Sequence, residues 1–166
     1  LSRVDFFTSH EGLLLAFEQA LTRLERNRGW YNLGTHMAWI GDRTREIGGA
    51  HVEYFRGIRN PIGLKIGNSM NPEELVEIIR ILNPDNEPGR LTLIHRFGAE
   101  KIRLQLPQLV EAVLKTKQHV LWSCDPMHGN TQTARNGIKT RSFDDIMSEI
   151  FTAFRIHNEL GSRLSG

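Results

Sequence analysis

Apolar and polar residues recur along this chain with two different periods, and each change of period marks an element. Thr8-Ser9-His10-Glu11 has the Ser/Thr-x-x-Glu form of a capping box, and Leu13, Leu14, Phe17, Leu21 and Leu24 follow at helical spacing. This predicts a helix from about Ser9 to Asn27, ended by Arg28-Gly29. Leu33 to Ile40 reads as a strand that stops at Gly41-Asp42-Arg43, and a short helix is expected from Gly49 to Ile58. Pro61 to Ile66 gives a second strand around Lys65. Asn71-Pro72-Glu73-Glu74 combines a capping side chain, proline at the first helical position and an acidic first turn, so a helix should run to about Leu82. Leu91 to Ile94 is a third strand, ending at His95-Arg96. The stripe Leu106, Leu109, Val110, Val113 and Leu114 predicts a helix to Lys117 that starts near Pro107, with Lys101 to Leu104 as a preceding turn, because an interior proline removes a hydrogen bond.

The stretch His119 to Thr131 is the pivot of the pattern. Its apolar and β-branched first half reads as a short fourth strand, and it breaks off into Asp125, Pro126, His128, Gly129 and Asn130, a cluster that no packed core would select. A loop from Asn130 to Lys139 follows. Ser142-Phe-Asp-Asp then caps a last helix with an apolar stripe of Phe143, Ile146, Met147, Ile150 and Phe154, closed by Gly161, after which no element is expected.

Four strands alternating with helices imply an α/β fold with a parallel sheet and right-handed connections. The strand-end residues Arg43, Lys65, Arg96 and His128 are separated by 22, 31 and 32 positions, close to the length of a βαβ unit. Each unit thereby delivers one functional side chain to the carboxyl edge of the sheet, where parallel α/β folds gather their ligands.

Composition narrows the class. A hydrophobic fraction of 39% with 24% charged residues is that of a globular chain able to bury a core. Lys and Arg total 21 against 19 Asp and Glu, so no general basic field exists to hold nucleic acid or a membrane surface. Leu1 to Phe7 shows no secretory pattern and no apolar run suits a membrane span. Cys124 is the single cysteine, which excludes an internal disulfide and fits a reducing compartment, so a cytoplasmic setting is expected.

Two guanidinium forks and an ammonium at neighbouring strand ends suit a small anion carrying both a carboxylate and a phosphate. His128, beside Gly129, is a candidate metal ligand that would have to recruit partners from elsewhere. Cys124, within its strand, reads as a small core residue. Lys139 and Arg141 either receive a second phosphate or solvate a loop. No P-loop, nucleophile elbow or dinucleotide fingerprint occurs.

Taken together, Thr8-Ser-His-Glu11, Trp39-Ile-Gly-Asp-Arg-Thr-Arg45, Asn60-Pro-Ile-Gly-Leu-Lys-Ile-Gly67, Pro88-Gly-Arg-Leu-Thr-Leu-Ile94, Cys124-Asp-Pro-Met-His-Gly-Asn-Thr131 and Lys139-Thr-Arg141 resemble the class II (plant-type) 3-deoxy-D-arabino-heptulosonate 7-phosphate (DAHP) synthases over nearly the whole chain. The resemblance implies a parallel (β/α)8 TIM barrel, of which residues 1–166 would supply about half, four βα units in one partial barrel domain with no second domain. It implies condensation of phosphoenolpyruvate with erythrose 4-phosphate and water, giving DAHP and phosphate, the entry step of the shikimate pathway, with a divalent metal such as Mn or Co. It assigns phosphoenolpyruvate binding to Arg43 with the backbone beside Asp42, and to Lys65 and Arg96, and it makes His128 one metal ligand. The family usually has Glu where this chain has Asp42, so a backbone contact would survive while a side-chain role is in doubt. The family's other metal ligands, a Cys upstream and a Glu and an Asp downstream, and a further upstream Arg fall outside these residues. Assembly as a homo-oligomer is expected. The contrasting expectation is a non-catalytic phosphate-binding or assembly fragment of such a barrel.

Overall fold

The computed structural model describes residues 6–166; the stretch Leu1 to Asp5, part of the segment scanned for a secretory pattern, lies outside the described residues. Five strands form one parallel sheet: β1 (Ser9–Glu11), β4 (Met37–Ile40), β5 (Ile62–Ile66), β6 (Leu91–His95) and β7 (Leu121–Cys124), in that spatial order. Two hairpins stand outside it, β2 (Thr22–Glu25) with β3 (Gly29–Asn32), and β8 (Thr131–Thr133) with β9 (Lys139–Arg141). The helices are α1 (Leu15–Ala20), α2 (Ala50–Gly57), α3 (Pro72–Leu82), α4 (Ile102–Thr116) and α5 (Phe143–Glu159).

Because β4 to β7 follow each other in space as they do in sequence, right-handed crossovers put their helices on the same face of the sheet. Strand alternation agrees. Ile62, Leu64 and Ile66 of β5 and Leu91 and Leu93 of β6 are buried beneath Leu75, Ile78, Ile79 and Leu82 of α3 and Leu106, Leu109, Val110 and Val113 of α4. The intervening Trp39, Lys65, Thr92 and Ile94 are half-buried and face the uncovered side. A singly wound, one-sided parallel layer of this kind is consistent with part of a (β/α) barrel.

Five parallel strands stand where the sequence predicts four, and the extra one lies in the expected Ser9–Asn27 helix. Ser9–Glu11 pairs with Met37–Trp39, and only Leu15–Ala20 is helical. Tertiary bonds override the local capping pattern: His10 Nε2 meets Glu18 Oε1 at 2.9 Å, and the buried Glu18 also accepts from Asn32 Nδ2 at 2.6 Å, which in turn reaches Tyr54 Oη at 3.0 Å. Leu13, Leu14, Phe17 and Leu24, the supposed buried stripe, are exposed. The strand expected at Leu33–Ile40 begins only at Met37. The turn predicted at Lys101–Leu104 is instead the first turn of α4, which holds Pro107 in its interior. The cost of the missing bond, about 3 kcal/mol, is offset by the buried anchors Ile102, Leu106, Leu109 and Val110 on both sides of it.

Asn71 caps α3 as expected, its side chain accepting from Glu74 N at 2.8 Å. On α5 the face turned to the sheet is Glu149, Thr152, Ala153, Ile156 and His157, while Phe143 and Phe154 of the expected stripe are exposed. The residues after Gly161 do form structure: Leu164 bridges Trp122 in parallel sense, Ser165 N donates to Trp122 O, and Cys124 N donates to Gly166 O, so the tail lies along the outer edge of β7. Among the described residues no helix is long and apolar enough to cross a membrane.

Candidate functional site

The carboxyl ends of β4 to β7 open into a cleft of about 290 Å³ on the uncovered side of the sheet, lined by Glu11, Trp39, Asp42, Arg43, Lys65, Arg96, Asp125 and His128. The structure thus brings together all five residues singled out from the sequence. Gly63, on the same face of β5 as Lys65, admits this arrangement, since a Cβ there would lie 2.6 Å from Trp39 Cβ. Lys65 Nζ stands 5.7 Å from the centre of the Trp39 ring.

Carboxylates order the cations. Asp125 Oδ2 accepts from both Lys65 Nζ and, at 2.6 Å, His128 Nδ1. Burial raises the Asp125 carboxyl, but the hydrogen bond and charge of Lys65 and the charge of His128 outweigh it and hold the group below its ordinary range. A carboxylate can only accept, so Nδ1 carries the proton, and in the neutral form of the exposed His128 ring Nε2 has a free lone pair able to hold a metal. Asp42 has the side-chain role that its shortened length put in doubt. Its Oδ1 accepts from Gly67 N at 3.0 Å and Arg45 Nε at 3.1 Å, and its Oδ2 accepts from Arg96 Nη1 at 3.3 Å. Arg96 also donates Nη2 to His128 O at 2.9 Å, while its Nε is buried without a partner. Arg43 is exposed and has no ion pair among the described residues.

The loops after β6 and β7 are locked against each other at the rim. A Cβ on Gly129 would come within 2.3 Å of Gly98 N, and Gly98 adopts φ +86°, so both positions require glycine. Asn130 Oδ1 accepts from Ala99 N at 2.9 Å across the same junction. Lys139 and Arg141 lie outside the cleft, in a hairpin where a loop was expected; Arg141 Nε donates to Met127 O at 3.0 Å.

Two contributors escaped the sequence. Glu11 lines the cleft, but its place in a capping pattern hid the strand that carries it there. Asp125 was visible as part of the polar cluster, though its bridging of Lys65 to His128 depends on strand pairing. Cys124 packs against the core as expected, but it is not fully buried. It is half-buried, and it sits behind the cleft beside His95 and Glu149. Burial pushes its thiol up to about 12 and His95 down to about 3, the latter helped by the charge of His157, which burial itself lowers to about 4. Glu149 is raised by burial despite bonds from Gly98 N, Phe97 N and Asn130.

A larger cavity, about 580 Å³, opens at the opposite end of the sheet between α2 and α3. Its buried cation, Arg90, donates to the carbonyls of Phe55, Ile58, Asn60 and Leu82, so its charge is committed to capping helix ends rather than to a ligand.

The chain matches the model of the Class-II DAHP synthetase family over residues 1–166. It is 50% identical over 163 residues to a probable chloroplastic phospho-2-dehydro-3-deoxyheptonate aldolase of Catharanthus roseus, covering 98% of this chain and 33% of that protein. It is 50% identical over 183 aligned residues to a phospho-2-dehydro-3-deoxyheptonate aldolase of Neurospora crassa and 51% identical over 164 to one of Streptomyces coelicolor, covering 38% and 36% of those proteins. The chain therefore spans about a third of the length of such relatives.

Proposed function

The chain belongs to the class-II DAHP synthetase family, and we propose that its cleft is the phosphoenolpyruvate-binding part of the active site of a DAHP synthase built on a (β/α)8 barrel. The observation that carries this reading is the convergence of Arg43, Lys65 and Arg96 on one small cleft with a metal-competent imidazole at its rim. The guanidinium forks of Arg43 and Arg96 match planar carboxylate or tetrahedral phosphate oxygens, and Lys65 adds a point charge. Arg96 would offer the ligand the guanidinium N–H groups that Asp42 and the His128 carbonyl leave free, while Asp42 holds the fork in place. As carbon 3 of phosphoenolpyruvate attacks the aldehyde of erythrose 4-phosphate and water adds at carbon 2, the three cations offset the charge of the departing phosphate.

His128 fits a divalent metal such as Mn or Co, because Asp125 fixes the proton on Nδ1 and leaves Nε2 free. The bound ion would supply polarisation of the aldehyde oxygen. The remaining ligands and erythrose 4-phosphate contacts belong to other parts of a complete protein. Exposed Phe143, Phe151 and Phe154 along α5 favour contact with further protein, in keeping with an oligomer.

The test is phosphate release by the full-length protein given both substrates and Mn, with and without Arg96→Ala; turnover untouched by that change would defeat the assignment. A second reading follows from the share of the relatives that the chain covers: a non-catalytic phosphate-binding or assembly piece. It expects phosphoenolpyruvate to raise the melting temperature of these 166 residues with no turnover.

A further inference from the structure

Behind the cleft, on the helix-facing side of the same strand ends, lies a second group of reactive side chains that the synthase reading leaves unused. His95 ends β6, Cys124 ends β7 at the paired position, and Glu149 descends from α5. One donor atom of each lies within 4.8 Å of the other two. Glu149 is fully buried and fixed by Phe97 N at 2.9 Å, Gly98 N at 3.0 Å and Asn130 Nδ2 at 2.7 Å. Those bonds account for Glu149. They do not account for His95.

The His95 ring is 0% exposed, and neither Nδ1 nor Nε2 has a hydrogen-bond partner. Its surroundings are ring faces, Phe97 at 5.8 Å, His157 at 6.0 Å and Trp122 at 6.4 Å between centroids. Leaving a buried polar atom unpaired costs about 1–3 kcal/mol, and Cys124 Sγ, although close, makes no hydrogen bond to either nitrogen.

We propose that His95, Cys124 and Glu149 form a buried site for a thiophilic divalent cation of the Zn²⁺ type, separate from the metal position at His128. An ion centred on a triangle with 4.8 Å sides lies about 2.8 Å from each corner, and a contraction of about 0.5 Å at the sulfur and about 0.7 Å at the nitrogen and oxygen brings the corners to zinc bonding distance. Imidazole with thiolate favours zinc over magnesium, calcium or manganese. Thiolate and carboxylate together cancel the two charges of the ion, so the loaded site is neutral, the condition a buried site requires. Binding exchanges the Cys124 S–H proton for the metal and releases it to solvent, so affinity falls as pH falls. The ion would tie β6, β7 and α5 together just beneath the cleft floor. None of this depends on the synthase reading.

Cys124 is the only thiol of the chain, so the ultraviolet thiolate-to-cobalt charge-transfer absorption reports this site alone. Titrating the chain with Co²⁺ should develop that absorption with one equivalent, and Zn²⁺ should displace it. It should persist in His128→Ala, vanish in Cys124→Ser and need at least about tenfold more cobalt in His95→Ala, with circular dichroism confirming that each variant is folded. Absence of the band from the folded wild-type chain at millimolar cobalt overturns the site. So does a band that His95→Ala leaves unchanged, since that describes a cation on a lone thiol.

Discussion

The two faces of the strand ends put neighbouring residues to opposite uses. His95 points to the helices and Arg96 to the cleft; Cys124 points back and Asp125 forward. On the cleft side Asp125 is matched by Lys65 and Asp42 by Arg96, and the groups remain reachable from solvent. On the helix side the acid Glu149 is matched by backbone N–H groups and an amide, and the imidazole by nothing. Cation pairing leaves a site that an anion can enter by exchanging partners. Backbone pairing makes a rivet, which holds the loop after β6 to α5 and thereby sets where Arg96 emerges.

The contrast breaks most visibly at Glu149. Replacing it with Ala strands two buried N–H groups and an amide, and should cost about 4 kcal/mol in urea unfolding; a stability loss under about 1 kcal/mol would dissolve the distinction. Arg96→Ala should do the reverse, weakening phosphoenolpyruvate binding about a hundredfold by calorimetry while leaving unfolding within about 1 kcal/mol. Acid sharpens the comparison. His95 and His157 titrate near 6.5 when unfolded but at about 3 and about 4 when folded, so the stability they contribute is whole above pH 6.5 and drains away as pH drops towards those values. Each takes at most about 1.4 kcal/mol per pH unit, and protonation of the raised Glu149 gives part of it back near the bottom of the range. Denaturation midpoints between pH 7 and 4 check this, and His95→Phe should flatten the slope. The smallest effect belongs to Arg43→Ala: about a tenfold loss of phosphoenolpyruvate affinity, with no change in melting temperature.

What could be read without coordinates depended on the range of the forces involved. The Asn71-Pro72-Glu73-Glu74 start of α3 is a local affair of one cap and one dipole, and it stands in the structure as the pattern predicts. So do β5 and β6, whose apolar runs can only be buried. The cationic residues were legible because strand ends recur at the length of a βαβ unit, a spacing the fold imposes. Ser9–Glu11 misled because its local pattern is helical while the bonds that decide it, to Met37–Trp39 and through His10 to Glu18, reach across the sequence. Pro107 misled in the opposite direction, since burial on both flanks outweighs one absent bond. The His95, Cys124 and Glu149 group had no signature: its members stand 29 and 25 positions apart, and Glu149 lies on a helix whose apolar residues suggested another inward face.

One rim of the sheet ends in the three residues of β1, and the other, along β7, is overlaid by Leu164 to Gly166. In the (β/α)8 barrel proposed above both rims would pair with further strands, and closure would leave no row of free amides for a stranger's backbone. Such closure would also keep the exposed phenylalanines from supporting fibril growth by strand addition.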